Sequence, residues 1–283
     1  MSGLACEIDF YKTNFFNEDD VTFIKGFSEL SPEELRESHK LLLNDFVKNS
    51  QIASYQHHPT FPDELRKEIK LLEHNPLENL HTSFENDALP ILQSLTQGKL
   101  SILDDKDNML LFMSYLGQQI VRSKAMKDNV FQAILNRKRF PSNAPYSYDT
   151  HVGLFEKNWW FLSFMFGMNI GVSLYLTREK DNHVFLVNNS NEPFITTDNP
   201  IINIHDSLAE LSPFEAPTEC DFYYPISPKY AYMINNSTKY GQGEREVTET
   251  EARELNLKLA KKHNHHLIAQ TKEQLMEIRK LNR

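Results

Sequence analysis

Only two cysteines, Cys6 and Cys220, occur among the 283 residues. That is too few for a disulfide framework and points to a reducing, cytoplasmic setting. The opening MSGLACEIDFYK has no basic stretch followed by an apolar run, so no signal peptide is expected. Positive charge is also short: 30 basic against 39 acidic residues leave a formal charge of −9. That balance excludes a protein wrapped wholesale around nucleic acid and leaves only a local basic patch to grip one. Glycine-rich phosphate loops and nucleophile-elbow motifs are absent, Gly241-Gln242-Gly243 reads as a plain turn, and no repeat or low-complexity segment occurs.

Long uncharged runs are limited to one, residues 159–176, WWFLSFMFGMNIGVSLYL, with Gly167 and Gly171 four apart. Its length is at the lower limit for spanning a bilayer. Ser163, Asn169 and Ser173 interrupt it, however, and from Val172 apolar and polar residues alternate with the period of a strand. The segment reads as a buried helix running into a strand, with no membrane association.

What is present is a globular composition, 40% hydrophobic and 24% charged, in a chain long enough for a sizeable core. After an irregular aromatic start through Phe10, Tyr11, Phe15 and Phe16, Ser31-Pro32-Glu33-Glu34 predicts the first helix, with Ser31 as cap. Pro62 opens a second helix. A third runs from about 80 to 95, kinked or restarted at Pro90, and the longest helical pattern runs from 106 to about 140. Beyond Val172, short β-rich runs separated by turn residues (Lys180-Asp181-Asn182, Asn188 to Asn191, Pro213 to Pro217, Ser227-Pro228-Lys229) predict an antiparallel meander. A helix after Thr248 with Glu251 completing its cap, a strand-like Leu267-Ile268-Ala269 and a helix from Thr271 with Gln274 at the capping position close the chain. The outline is α+β: a mainly helical region over 1–158, and over 159–283 the buried helix, a small antiparallel β unit and C-terminal helices.

The stretch 193–204, PFITTDNPIINI, sets Thr196, Thr197 and Asp198 where a strand breaks off. Asp198 can act as a general base, bind a cation or hold a substrate hydroxyl; equally, Asp198 and Asn199 can be spent on backbone amides of their own turn. Arg122, four residues after Gln118 on a helix, suits bidentate binding of phosphate or carboxylate, or else an internal ion pair with Glu85 of the neighbouring helix. The stretch 122–139 has a local charge of +5, from Arg122, Lys124, Lys127, Arg137, Lys138 and Arg139 against Asp128. With Phe131 and Phe140 it can grip a nucleic-acid backbone, or simply form a solvated helix end. His57-His58 and His263-x-His265-His266 lack a Cys, Asp or Glu at a zinc spacing, so no metal site is expected, and no motif identifies a cofactor.

Five stretches, in order, resemble a bacterial family catalogued only as a domain of unknown function. They are SFENDALPILQSL with Glu85, LGQQIVRSKAM with Gln118 and Arg122, FITTDNP, YPISPK with Lys229, and ELNLKLAKKHNHHLIA, together spanning roughly residues 78–270. FITTDNP followed by YPISPK is the most specific part. Members of that family commonly open with His-x-x-Pro-x-x-Tyr-Leu, which this chain does not show; His57-His58-Pro59 is the nearest echo. The resemblance implies the α+β outline and the choice of site residues, without a reaction. The combined expectation is an intracellular hydrolase or nuclease-like effector, of toxin or phage-defence type, acting on a nucleic acid or nucleotide. Asp198 and Glu85 are its acidic groups, and Arg122, Gln118, Thr196, Thr197 and Lys229 bind substrate. The alternative is a non-catalytic protein that binds a protein partner in a toxin–antitoxin or defence complex.

Overall fold

The computed structural model describes residues 15–55, 58–60, 62–136, 146–209, 219–262 and 266–281. The first helix begins earlier than Ser31-Pro32 implies. Asn17 and Asp20 exchange side-chain-to-backbone hydrogen bonds of 2.8 and 2.9 Å and open α1, Glu18–Glu29. The Asp20 carboxylate, fully buried, also accepts from Lys157 and from Asn158 Nδ2, so one residue caps α1 and ties it to a later helix. Ser31 is not the cap of α2, Glu33–Ser54, where Pro32 holds the N-cap position without a side-chain bond. Instead the Ser31 hydroxyl donates to Phe27 O and accepts from Asn169 Nδ2.

Pro62 precedes α3, Asp63–His74, as expected. Helix α4, Pro76–Thr96, starts earlier than 80 and runs through Pro90 unbroken; Gly98, at φ 76°, follows its end. The pattern from 106 to 140 is not one helix. Asp105 caps α5, Lys106–Val121, and the chain then turns extended at Ser123, whose hydroxyl accepts from Met126 N and opens α6, Lys124–Leu135. Arg137, Lys138, Arg139 and Phe140 lie outside the described residues, as do Phe10, Tyr11 and the 213–217 turn.

Helix α7, Tyr148–Thr177, is 30 residues long and overturns the expected strand from Val172. The alternation of Val172, Leu174 and Leu176 does not place them on one face: Leu174 is buried, whereas Leu176 is 65% exposed. What decides for helix is the partner, because Ile170 and Leu174, four apart, both join the apolar cluster of Phe112, Met113 and Leu116 of α5, a spacing that a helix brings to one face. By length and composition α7 could cross a membrane; in this fold Trp159, Phe161, Leu162 and Met165 are fully buried.

The strands are β1 (Asn182–Asn188), β2 (Thr196–Thr197), β3 (Ile202–Asn203), β4 (Asp221–Pro225), β5 (Tyr230–Asn235), β6 (Gly243–Val247) and β7 (Leu267–Ile268). Five of them order as β3-β4-β5-β1-β6, and β2 pairs with β7 alone. The sheet is mixed rather than an antiparallel meander, since β6 runs parallel to β1. Gly243, at φ 76°, turns the chain out of the 241–243 segment directly into β6, which is why that segment is more than a turn. One sheet face carries Val184, Leu186, Tyr223 and Met233 in a cluster with Ala252, Leu255 and Leu259 of α8, Glu249–Lys261. The other carries Phe185, Tyr232 and Ile234 against Phe112, Met113 and Leu116 of α5, so the core is continuous across residue 158. Thr248 and Glu251 form the expected capping box of α8. In α9, Lys272–Leu281, Thr271 caps as expected, but the Gln274 side chain reaches away to Pro193 O at 2.7 Å.

Candidate functional site

Helix α4 presents His81 and Glu85 one turn apart, and α5 presents Tyr115, Gln118 and Arg122 along its last two turns. Arg122 is the C-terminal cap of α5, so its guanidinium extends from a helix end toward α4. There Nη1 donates to Glu85 Oε1, joining two of the expected site residues directly. The side chains are 25% and 46% exposed, so solvent reaches both charges. Beside them the Tyr115 hydroxyl lies 3.2 Å from that of Tyr224 on β4. Burial raises the pKa of both phenols, Tyr224 the more strongly, so both are neutral donors at ordinary pH. His81, 4% exposed, has its pKa lowered to about 3 by burial and then by the Arg122 charge. Its imidazole is therefore neutral.

Gln118 faces a different neighbour. Its Nε2 donates to Phe164 O of α7 at 3.0 Å, and its Oε1 is buried with no hydrogen-bond partner among the described residues. This amide also fills the space where a side chain on Gly167 would stand. Gln118 thus belongs to the α5–α7 contact.

Asp198 lies in the turn after β2, where its N–H donates to His266 O at 3.3 Å. The turn itself is closed by Thr197, whose buried hydroxyl donates to Asn199 O and accepts from Asn199 N. Thr196 pairs with Ile268, and strand alternation puts Asp198 and His266 on that same face. Thr196 lines a groove of about 230 Å³ between Phe194–Thr196, Pro225–Pro228 and Ile268–Gln270. Lys229 follows Pro228 in the chain, its ammonium 5.5 Å from the Tyr230 ring centroid. FITTDNP and YPISPK therefore supply two of the three segments that line this groove. Ile201, three residues after Asp198, shares a cavity of about 10 Å³ with Leu116, Ile120 and Tyr224, room for one water at most. The end of α5 and the residue three past Asp198 thus line one apolar cavity.

Among the described residues no group of three His, Cys, Asp or Glu side chains could hold a metal ion; His57, His263 and His265 lie outside them, and His58 bonds Thr60. From the basic stretch, Lys127 stacks over Phe131 and Trp160. Sequence reasoning missed His81, Tyr115 and Tyr224. The four-residue spacing of His81 and Glu85 and the seven-residue spacing of Tyr115 and Arg122 carried a signal for two of them. Nothing local marked Tyr224, which arrives through strand pairing.

Residues 163–280 match the family model described as a protein of unknown function (DUF4238). The matched span contains FITTDNP and YPISPK, in line with the resemblance drawn from them; Glu85 and Arg122 precede it. No curated protein and no solved structure matches the chain.

Proposed function

We propose that this protein is an intracellular hydrolase, nuclease-like in chemistry, that acts on a phosphate-containing substrate at the Glu85–Arg122 pair. The observation that carries the reading is a solvent-reachable carboxylate bonded to a guanidinium between two facing helices, next to two neutral phenols. A guanidinium held in orientation on a helix end suits recognition of phosphate oxygens. The carboxylate, once the substrate takes up part of that guanidinium, is free to accept a proton from water.

A second reading, a non-catalytic binding subunit of a defence or toxin–antitoxin complex, is favoured by the way Glu85 and Arg122 satisfy each other. Purified wild type, Glu85→Gln and Arg122→Gln, incubated with RNA, DNA and nucleotides, separate the two. Product from the wild type alone, and growth arrest on induction of the wild type alone with the same pool damaged, establish the hydrolase. No product from any of them and equal growth, with all three folded, leave the binding subunit.

A further inference from the structure

The five-stranded sheet ends on β6, and we infer that this strand is a docking edge for an extended, basic segment of a partner protein, which joins the sheet as a further strand. The inference is independent of the hydrolase reading. Along the five residues of β6, Gly243, Glu244 and Glu246 are exposed. The strand pairs with β1 and with no other among the described residues, so alternate residues turn their N–H and C=O groups outward, away from β1. At the opposite end of the sheet, β3 offers only two residues.

Strand alternation sorts the side chains. Val247 is buried in the cluster with α8, and Arg245 reaches Glu251 of α8 at 2.7 Å, so both face that helix. Glu244 and Glu246 therefore stand on the other face, beside Phe185 and Val187 of β1. Glu246 accepts from Asn189 Nδ2 at 2.7 Å, a neutral donor that leaves its charge in place. Glu249, exposed in the first turn of α8, adds a carboxylate just beyond the strand. Arg245, the one basic residue between Gly243 and Glu251, is engaged with Glu251. Charge then decides between occupants. A second copy pairing through β6 would set like carboxylates across the new pair, which is unfavourable, and each chain carries −9 overall. A strand with lysine or arginine at alternate positions meets Glu244 and Glu246 on their own face. Main-chain bonds supply the affinity of such strand addition, and the alternate side chains its selectivity.

The test uses three fluorescently labelled heptapeptides: one alternates lysine with valine, one has proline in place of each valine, and one alternates glutamate with valine. The proline peptide keeps the charge of the first but lacks the N–H groups that strand pairing needs. Fluorescence anisotropy reads affinity, and hydrogen exchange reads position. The lysine–valine peptide is expected to bind roughly tenfold or more tightly than either of the others and to slow amide exchange over 243–247 more than anywhere else. The double variant Glu244→Lys with Glu246→Lys, at an unchanged melting temperature, is expected to reverse the preference and take the glutamate peptide. Equal affinity for the lysine–valine and proline peptides would show charge attraction without strand addition and overturn the inference. Protection at another strand, or no binding of any peptide, overturns it as well. Sedimentation showing self-association of the wild type, with the same amides protected, would assign the edge to a second copy instead.

Discussion

Gly117 of α5 and Gly171 of α7 pass so closely that a Cβ built on Gly117 would stand 2.6 Å from the Gly171 nitrogen, and one on Gly171 would stand 2.7 Å from Ser114 Cα. Both obstacles are backbone, which cannot swing aside. The crossing therefore depends on glycine at both positions, and it sets the distance at which Gln118 reaches Phe164 O.

Gly117→Ala and Gly171→Ala are each expected to destabilise by roughly 1–3 kcal/mol or more through overpacking, against a gain of only about 1 kcal/mol in helix propensity. Gly26→Ala in α1 and Gly153→Ala in α7 have open space around the new methyl group and should gain roughly 0.5–1 kcal/mol. Urea titration of the four variants should show opposite signs for the two pairs; the same sign for all four would contradict the close crossing.

His81 makes stability depend on pH in a defined direction. Its folded pKa is about 3 against an ordinary 6.5, so above pH 6.5 it is neutral in both states and has no effect. Between pH 6.5 and 3 the unfolded chain binds a proton that the folded one refuses, and stability falls as the pH falls. The accumulated loss is a few kcal/mol by pH 3. Denaturation midpoints over that range should fall more steeply for the wild type than for His81→Gln, and parallel profiles would show that His81 does not resist protonation.

Asn256, with no exposed surface, joins α8 to the segment entering β2: Oδ1 accepts from Ile195 N, and Nδ2 donates to Pro193 O and Glu192 Oε1. Asn256→Leu leaves Ile195 N–H unsatisfied and is expected to cost roughly 1–3 kcal/mol or more. Amide exchange at Ile195 and at the Thr196–Thr197 strand should accelerate well beyond that at the central strands. Uniform acceleration would instead make Asn256 part of the global core.

The Glu85–Arg122 pair should separate activity from stability. Both groups are reached by solvent, so Arg122→Gln is expected to lower stability by about 1 kcal/mol or less while turnover is lost. A melting curve and a rate measured on the same preparation check this. A large drop in melting temperature with proportionate activity would mark the pair as structural.

Of the candidate site, the helix-borne part was legible. Glu85 and Arg122 each stood on an apolar-patterned helix, and the inference that adjacent helices would pair them needed only their order along the chain. Tyr224 was not legible, because its nearness to Tyr115 comes from β4 pairing with β5, over 100 residues beyond α5. That Thr197 closes this turn was not legible, because the Asx and Ser/Thr turn chemistries use neighbouring residues interchangeably, and only the geometry selects the hydroxyl.

By itself the sequence determined what can be satisfied within about four residues: the box of Thr248 and Glu251 that starts α8, the cap of Thr271 on α9, the start of α3 after Pro62, and the class of the fold. Even the overlooked start of α1 was written locally, in Asn17 and Asp20. The tertiary structure decided the rest. Residues 172–177 had a strand's alternation and became helix, because Leu174 follows Ile170 by four residues into the apolar cluster with α5. The helix predicted over 106–140 broke at Ser123 through a local cap, whereas β6 joined β1 in parallel through a partner distant in sequence. Local patterns state which face is apolar; which neighbour covers it is a property of the packed chain.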